Sequence, residues 1–168
     1  GGKGWGDINE TSKSNAKVIA VCDIDERGRG KKALEKFGGD GAATFKDWRR
    51  LLDTIHKDID ACTVSTPDHM HAPIAYSAMS LGKHVYVQKP LAHDVYEARQ
   101  MRLIAAKNKL VTQMGNQHHS GIGYKMLVAI LQSGTIGKIK EAHAWSNRPI
   151  WPQGIDRPEG SDPVPEGF

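Results

Sequence analysis

The chain has few of the features that would place it outside the ordinary globular class. No apolar run is long enough to span a bilayer as a helix, which argues against a membrane partner. Cysteine is scarce: Cys22 and Cys62 are the two present. They sit in apolar, strand-like runs ("VIAVC", "IDACTV") without metal-type spacing, so they read as small buried residues rather than a disulfide framework. Lysine and arginine give a net charge of +4, yet they are scattered among Asp and Glu instead of forming a basic stripe. That pattern argues against a nucleic-acid partner. The chain also lacks an initiating Met, a visible signal segment and, ahead of its opening glycines, any strand. Its Pro/Gly-rich tail from Pro149 to Phe168 stops without a following element. It therefore reads as a fragment, expected to be inactive and poorly stable alone.

What is present is a chain of 168 residues, 39% hydrophobic and 25% charged, enough for one domain and the start of another. After the glycines a helix is expected from Trp5 to Lys13. "AKVIAVCD" is a continuous apolar run ending in an acid, the profile of a parallel strand covered on both faces. A helix capped by Asp25 would run to Phe37 and stop at Gly38 and Gly39, despite Gly28 and Gly30. "AATF" is a short strand, "KDWRRLLDTI" a helix, and "IDACTVST" a buried strand. Pro73 and Gly82 bracket a helix over Ala72 to Leu81, and "HVYV" is again a strand. Asp94 and Glu97 have capping-box spacing ahead of a helix whose apolar face is Val95, Ala98, Met101 and Ile104. "LVTQMG" is a strand and Tyr124 to Gln132 a helix. "KIKEAHAWSN" alternates, suggesting a half-covered strand of a new sheet. Strands and helices in alternation predict an α/β fold with a doubly wound parallel sheet over 1–136, and the start of a second α/β domain over 137–168.

Several residues have the spacing of a dinucleotide site. Gly1 and Gly4 match the second and third glycines of G-x-G-x-x-G, which allow a tight turn, approach of a pyrophosphate and close helix packing. Asp23 lies 19 residues after Gly4, at a strand end where an acid accepts from ribose hydroxyls. A carboxylate there favours NAD(H); Arg27 and Arg29 keep NADP(H) open. The clusters "TPDHMH" and "GKHVYVQKP" lie one strand-helix-strand unit apart, so Thr66, His71 and Lys89 are expected on one ligand-binding rim.

The stretch "TPDHMHAPIAYSAMSLGKHVYVQKPL" resembles the signature of the Gfo/Idh/MocA oxidoreductases, where T-P-x-x-x-H precedes G-K-H-V and E-K-P. "MGNQHHS" and "GTIGKIKEAHAWSNRPIWPQG" resemble sugar-dehydrogenase-like members. The resemblance implies a Rossmann domain followed by an α/β domain that binds substrate and, at full length, mediates homo-oligomerisation. It places Gly1 and Gly4 at the pyrophosphate, Asp23 at the adenosine ribose, and Thr66, Pro67 and His71 along the cofactor groove. Lys89 and Pro90 fall near the nicotinamide ribose and the reacting carbon. The departure is Gln88, where the family more often has Glu.

An ammonium at Lys89 can stabilise a growing alkoxide and relay a proton, which makes it the candidate catalytic residue. Asn116, Gln117, His118 and His119 follow a strand end and are candidate substrate contacts. His69 with His71 invites a metal reading, but no third-ligand spacing supports it. Trp145, Trp151 and Arg148 belong to the incipient second domain, with the aromatics read as packing. The expected function is hydride transfer between a nicotinamide and a sugar, polyol or cyclic alcohol. The alternatives are glycoside cleavage through transient oxidation by bound NAD, and a non-catalytic nucleotide-binding or assembly protein.

Overall fold

A computed structural model describes residues 2–25, 28–147 and, in the tail, 152–157, 159–161, 163, 164 and 166. The described elements run α1 (Gly2–Ser12), β1 (Val18–Cys22), α2 (Arg29–Phe37), β2 (Gly38–Phe45), α3 (Trp48–Ile55), β3 (Ala61–Val64), α4 (His71–Ser80), β4 (His84–Gln88), α5 (Val95–Lys107), β5 (Thr112–Gly115) and α6 (Ile122–Gln132). The chain divides into two compact units, Gly1–Asn116 with Pro165–Phe168, and Gln117–Val164.

All strand pairs in the first unit are parallel: β1 pairs with β2, and β3, β4 and β5 form a second sheet in that order. Side chains alternate across β4. Val85 and Val87 point into a core shared with Ala72, Ala75, Ala78 and Met79 of α4 and Met101 of α5, so Tyr86 and Gln88 point to the opposite face. Small residues let α4 lie close to the sheet. It ends where Gly82, at φ 78, adopts the left-handed conformation, and Lys83 N–H reaches back to the Ala78 carbonyl at 3.0 Å. That is a Schellman stop. α5 ends the same way with Lys109 at φ 53 and Leu110 N–H donating to the Ala105 carbonyl at 2.9 Å. Its start carries the expected cap: Asp94 Oδ1 accepts from Glu97 N–H, while Glu97 Oε2 accepts from His93 N–H.

Four expectations need correcting. β2 is twice the length of "AATF" and begins at Gly38, directly after α2. Gly38 pairs with Val18 and Ala43–Phe45 pair with Ala20–Cys22, while the residues between them break the register, Gly41 taking a left-handed φ of 77; an irregularity of this kind carries no local strand signal. α2 is capped by the Gly28 backbone with no side-chain cap, not by Asp25. α1 starts three residues early, and its Trp5 packs edge-on against Phe37 of α2 at 5.2 Å. Residues 138–147 form no strand and are exposed, because no described segment offers them a ladder. Trp145 is accordingly 88% exposed rather than packed.

In the second unit α6 also starts two residues early. Its apolar residues, among them Ile122, Met126 and Leu127, face solvent. No described helix is long and apolar enough to cross a membrane.

Candidate dinucleotide site at the strand ends

Register places the ends of three strands side by side: Val64 is opposite Val87, and Gln88 opposite Gly115. The residues that follow, Thr66 and Pro67 after β3, Lys89 and Pro90 after β4, and Asn116 after β5, therefore share one rim. Thr66, Pro67, Lys89 and Pro90 are exposed there. Asn116 Oδ1 accepts from Gln113 Nε2 at 3.1 Å.

His71 has a different setting from the exposed residues of the rim. It is 1% exposed, with Nδ1 2.6 Å from the Pro90 carbonyl and Nε2 2.9 Å from the Thr66 carbonyl. Both ring nitrogens are committed to backbone, so the imidazole ties the turn after β3 to the turn after β4. The Lys89–Pro90 peptide bond is cis. His69, at the surface, takes no part in this arrangement.

A second cleft, of about 470 Å³, lies at the ends of β1 and β2 against α2, lined by Asp23, Asp25, Lys31 and Glu35 among others. Asp23 Oδ1 accepts from Asp25 N–H at 3.1 Å. The two glycines that weaken α2 as a helix are explained here. A Cβ on Gly30 would lie 2.6 Å from Asp23 Cβ, and one on Gly28 would lie 2.5 Å from Asp25 Oδ2. Bare backbone is what lets the start of α2 close on the two acids. Burial pushes the neighbouring Cys22 thiol up to about 11 and raises that of Cys62 as well.

Gln88, which stood out in the sequence, has a partner that sequence reasoning missed. Its Nε2 donates to both carboxylate oxygens of Asp7 in α1, at 3.1 and 2.9 Å. Ser65 Oγ donates to Asp7 Oδ2 at 2.6 Å, and Lys3 Nζ lies 2.8 Å from Oδ1. Asp7 is 7% exposed and Gln88 4%. The hydrogen bond to Asp7 holds the Lys3 ammonium above its usual range. A signal was available: an amide at a buried strand end needs an acceptor, and Asp7 is the acid closest in sequence to the glycine turn.

Gly1 and Arg27 lie outside the described residues, as do Arg148 and Trp151. In the second unit the short helical turn Gln117–Ser120 carries His118 and His119, and the His119 ring sits 4.8 Å from that of Tyr124. Among the described residues no three His, Cys, Asp or Glu side chains gather as a metal site.

The family description "Oxidoreductase family, NAD-binding Rossmann fold" matches residues 4–116. The chain belongs to this family. An inositol 2-dehydrogenase from Salmonella typhimurium is 33% identical over 132 residues, covering 77% of this chain and 38% of that protein. A protein named glycosyl hydrolase family 109 protein 2, from a Shewanella species, is 28% identical over 170 residues, covering 96% and 37%. The crystal structure of myo-inositol 2-dehydrogenase from Lactobacillus plantarum superposes with a TM-score of 0.74 at 25% identity, covering 83% and 40%. The chain thus spans about two fifths of the length of the relatives it matches.

The residues present fit a dinucleotide. Gly4 faces the turn after β3, where a Cβ would rest in ordinary contact with Ser65 Cβ at 3.4 Å. The positive end of the α1 dipole, at Gly2, is suited to a pyrophosphate. Asp23 offers an acceptor at the end of β1.

Proposed function

We propose that the intact protein is an NAD(P)-dependent oxidoreductase acting on a sugar, polyol or related cyclic alcohol, with residues 137–168 opening its substrate domain. The observation that carries this reading is the shared rim: Thr66, Lys89 and Asn116 follow three adjacent parallel strands, beside the opening turn of α1. When bound, the nicotinamide supplies the hydride acceptor or donor. Asp23 accepts from the adenosine ribose, and Thr66 with Pro67 borders the groove. Lys89 holds an ammonium toward the alcohol oxygen, where it stabilises the negative charge that develops as the hydroxyl proton leaves. Asn116, Gln117, His118 and His119 are proposed as polar contacts to the substrate's hydroxyls. His71 acts from behind by fixing the carbonyls on either side. NAD(H) is favoured over NADP(H), because Asp23, Asp25 and Glu35 outnumber Lys31 along the adenosine cleft and would repel a 2′-phosphate. Homo-oligomerisation of the intact protein remains part of the proposal, resting on the family.

The glycosyl hydrolase relative, which aligns with almost the whole chain, favours one second reading: bound NAD serving a transient oxidation that enables glycoside cleavage. The test is an assay of the intact protein with NAD and a panel of cyclic polyols, beside p-nitrophenyl glycosides. Net NADH formation supports the dehydrogenase. Release of nitrophenol with no net NADH supports the second reading, and neither product refutes both.

A further inference from the structure

Asp7 and Gln88 are joined across 81 residues of sequence, and neither has a role in the site as described above. Their pairing is matched in charge: one carboxylate accepts from one amide, with Ser65 and Lys3 supplying the remaining donors. It is also matched in shape. A Cβ on Gly115, the residue opposite Gln88 in β5, would come within 2.6–2.8 Å of the Gln88 amide group, so the glycine leaves room for that side chain. The three strand ends and the first two turns of α1 therefore converge on a single buried carboxylate. Gln88 is the residue immediately before Lys89, while Lys3 belongs to the glycine-rich turn.

Resting on the reading of Lys89 given above, we infer that Asp7 is a positioning residue which, through Gln88, sets the Lys89–Pro90 turn against the glycine-rich turn that opens α1. The pair must carry one negative charge to do so. Two carboxylates at this separation in a buried site cannot both ionise without a large penalty, and two amides leave Lys3 unpaired. The titratable neighbours are Lys3 on α1 and Tyr86 on β4, whose hydroxyl is 3.5 Å from Gln88 Nε2, with Glu10 acting on Lys3.

The test uses four forms of the intact protein: wild type, Asp7→Asn, Gln88→Glu, and the double variant that moves the carboxylate from 7 to 88. NADH affinity is measured by fluorescence at pH 6 and pH 8, with kcat on the polyol that wild type oxidises and folding checked by thermal melting. Contacting charged pairs couple strongly. Gln88→Glu is thus expected to weaken NADH binding and kcat about tenfold at pH 8 and by less at pH 6, since protonating one of two facing carboxylates relieves their repulsion. Asp7→Asn is expected to lose about threefold at both pH values, and the double variant to return to within about threefold of wild type. A role confined to stability would move the melting temperatures and leave the pH profile of the folded enzyme unchanged, and that result overturns the inference. So does a double variant no better than Gln88→Glu. A wild type that binds no NADH instead brings down the functional reading, and the positioning role with it.

Discussion

Replacing His71 by Ala probes how the two halves of the rim are held. The ring is 1% exposed, so its removal leaves a cavity that neighbouring Ala72 and Ala75, themselves short, cannot fill. Truncation of a buried side chain of this size costs about 2 kcal/mol or more. The Thr66 and Pro90 carbonyls, at 2.9 and 2.6 Å from the ring nitrogens, lose their partner. Each such bond contributes roughly 0.5–1.5 kcal/mol net. The neutral ring carries one N–H and donates to one carbonyl, whereas an imidazolium donates to both, so the sum is about 3 kcal/mol. For a unit of this size that lowers the melting midpoint by about 6–12 °C, read by thermal scanning of the intact protein. His71→Leu restores volume without the hydrogen bonds and is expected to recover about half of the loss. A drop of less than about 2 °C for His71→Ala would refute the claim that the imidazole ties the two turns together.

Three further outcomes follow from single residues. Gly115→Ala places a Cβ against the Gln88 amide and is expected to cost about 1–3 kcal/mol as an overpacked site; an unchanged melting curve would contradict the tight fit. Lys109 occupies a left-handed position at an exposed helix end, so Lys109→Gly should raise stability by about 0.5–1 kcal/mol in a denaturant titration, and a loss would contradict the strain. The Cys22 thiol, raised by burial to about 11, should react slowly with iodoacetamide at pH 8. Because the folded form holds its proton more tightly than the unfolded form, this group's contribution is intact below the usual thiol range and is lost as pH rises through about 11. Rapid labelling of folded protein at pH 8 would contradict it.

Alternating apolar runs and glycine stops made most of the first unit legible in sequence: Val18–Cys22 and Ala61–Val64 lie inside their expected segments, and the strand expected at "HVYV" runs one residue further, to Gln88. Asp94 with Glu97 marked a helix start that the backbone adopts. Less legible was whatever depends on a distant partner. The first half of β2 joins the sheet through Gly38 opposite Val18 and then breaks register up to Ala43, and residues 138–147 carry a strand pattern with no described strand to pair with. In the site, the strand-end residues were readable because short links force them onto one rim. The Asp7–Gln88 pair was less so: a buried amide signals that it needs an acceptor, but a contact spanning 81 residues leaves no local periodicity to name which one. His71 was expected to line the cofactor groove, whereas the ring is buried between two carbonyls, a setting that depends on how the turns after β3 and β4 close over it.

The most direct test of the account is Lys89→Met in the intact protein, with NADH affinity and polyol oxidation measured side by side. Because the ammonium is assigned to stabilising charge on the alcohol oxygen, kcat should fall at least about a hundredfold while NADH still binds within about threefold of wild type. Turnover unchanged by the substitution would contradict the central claim.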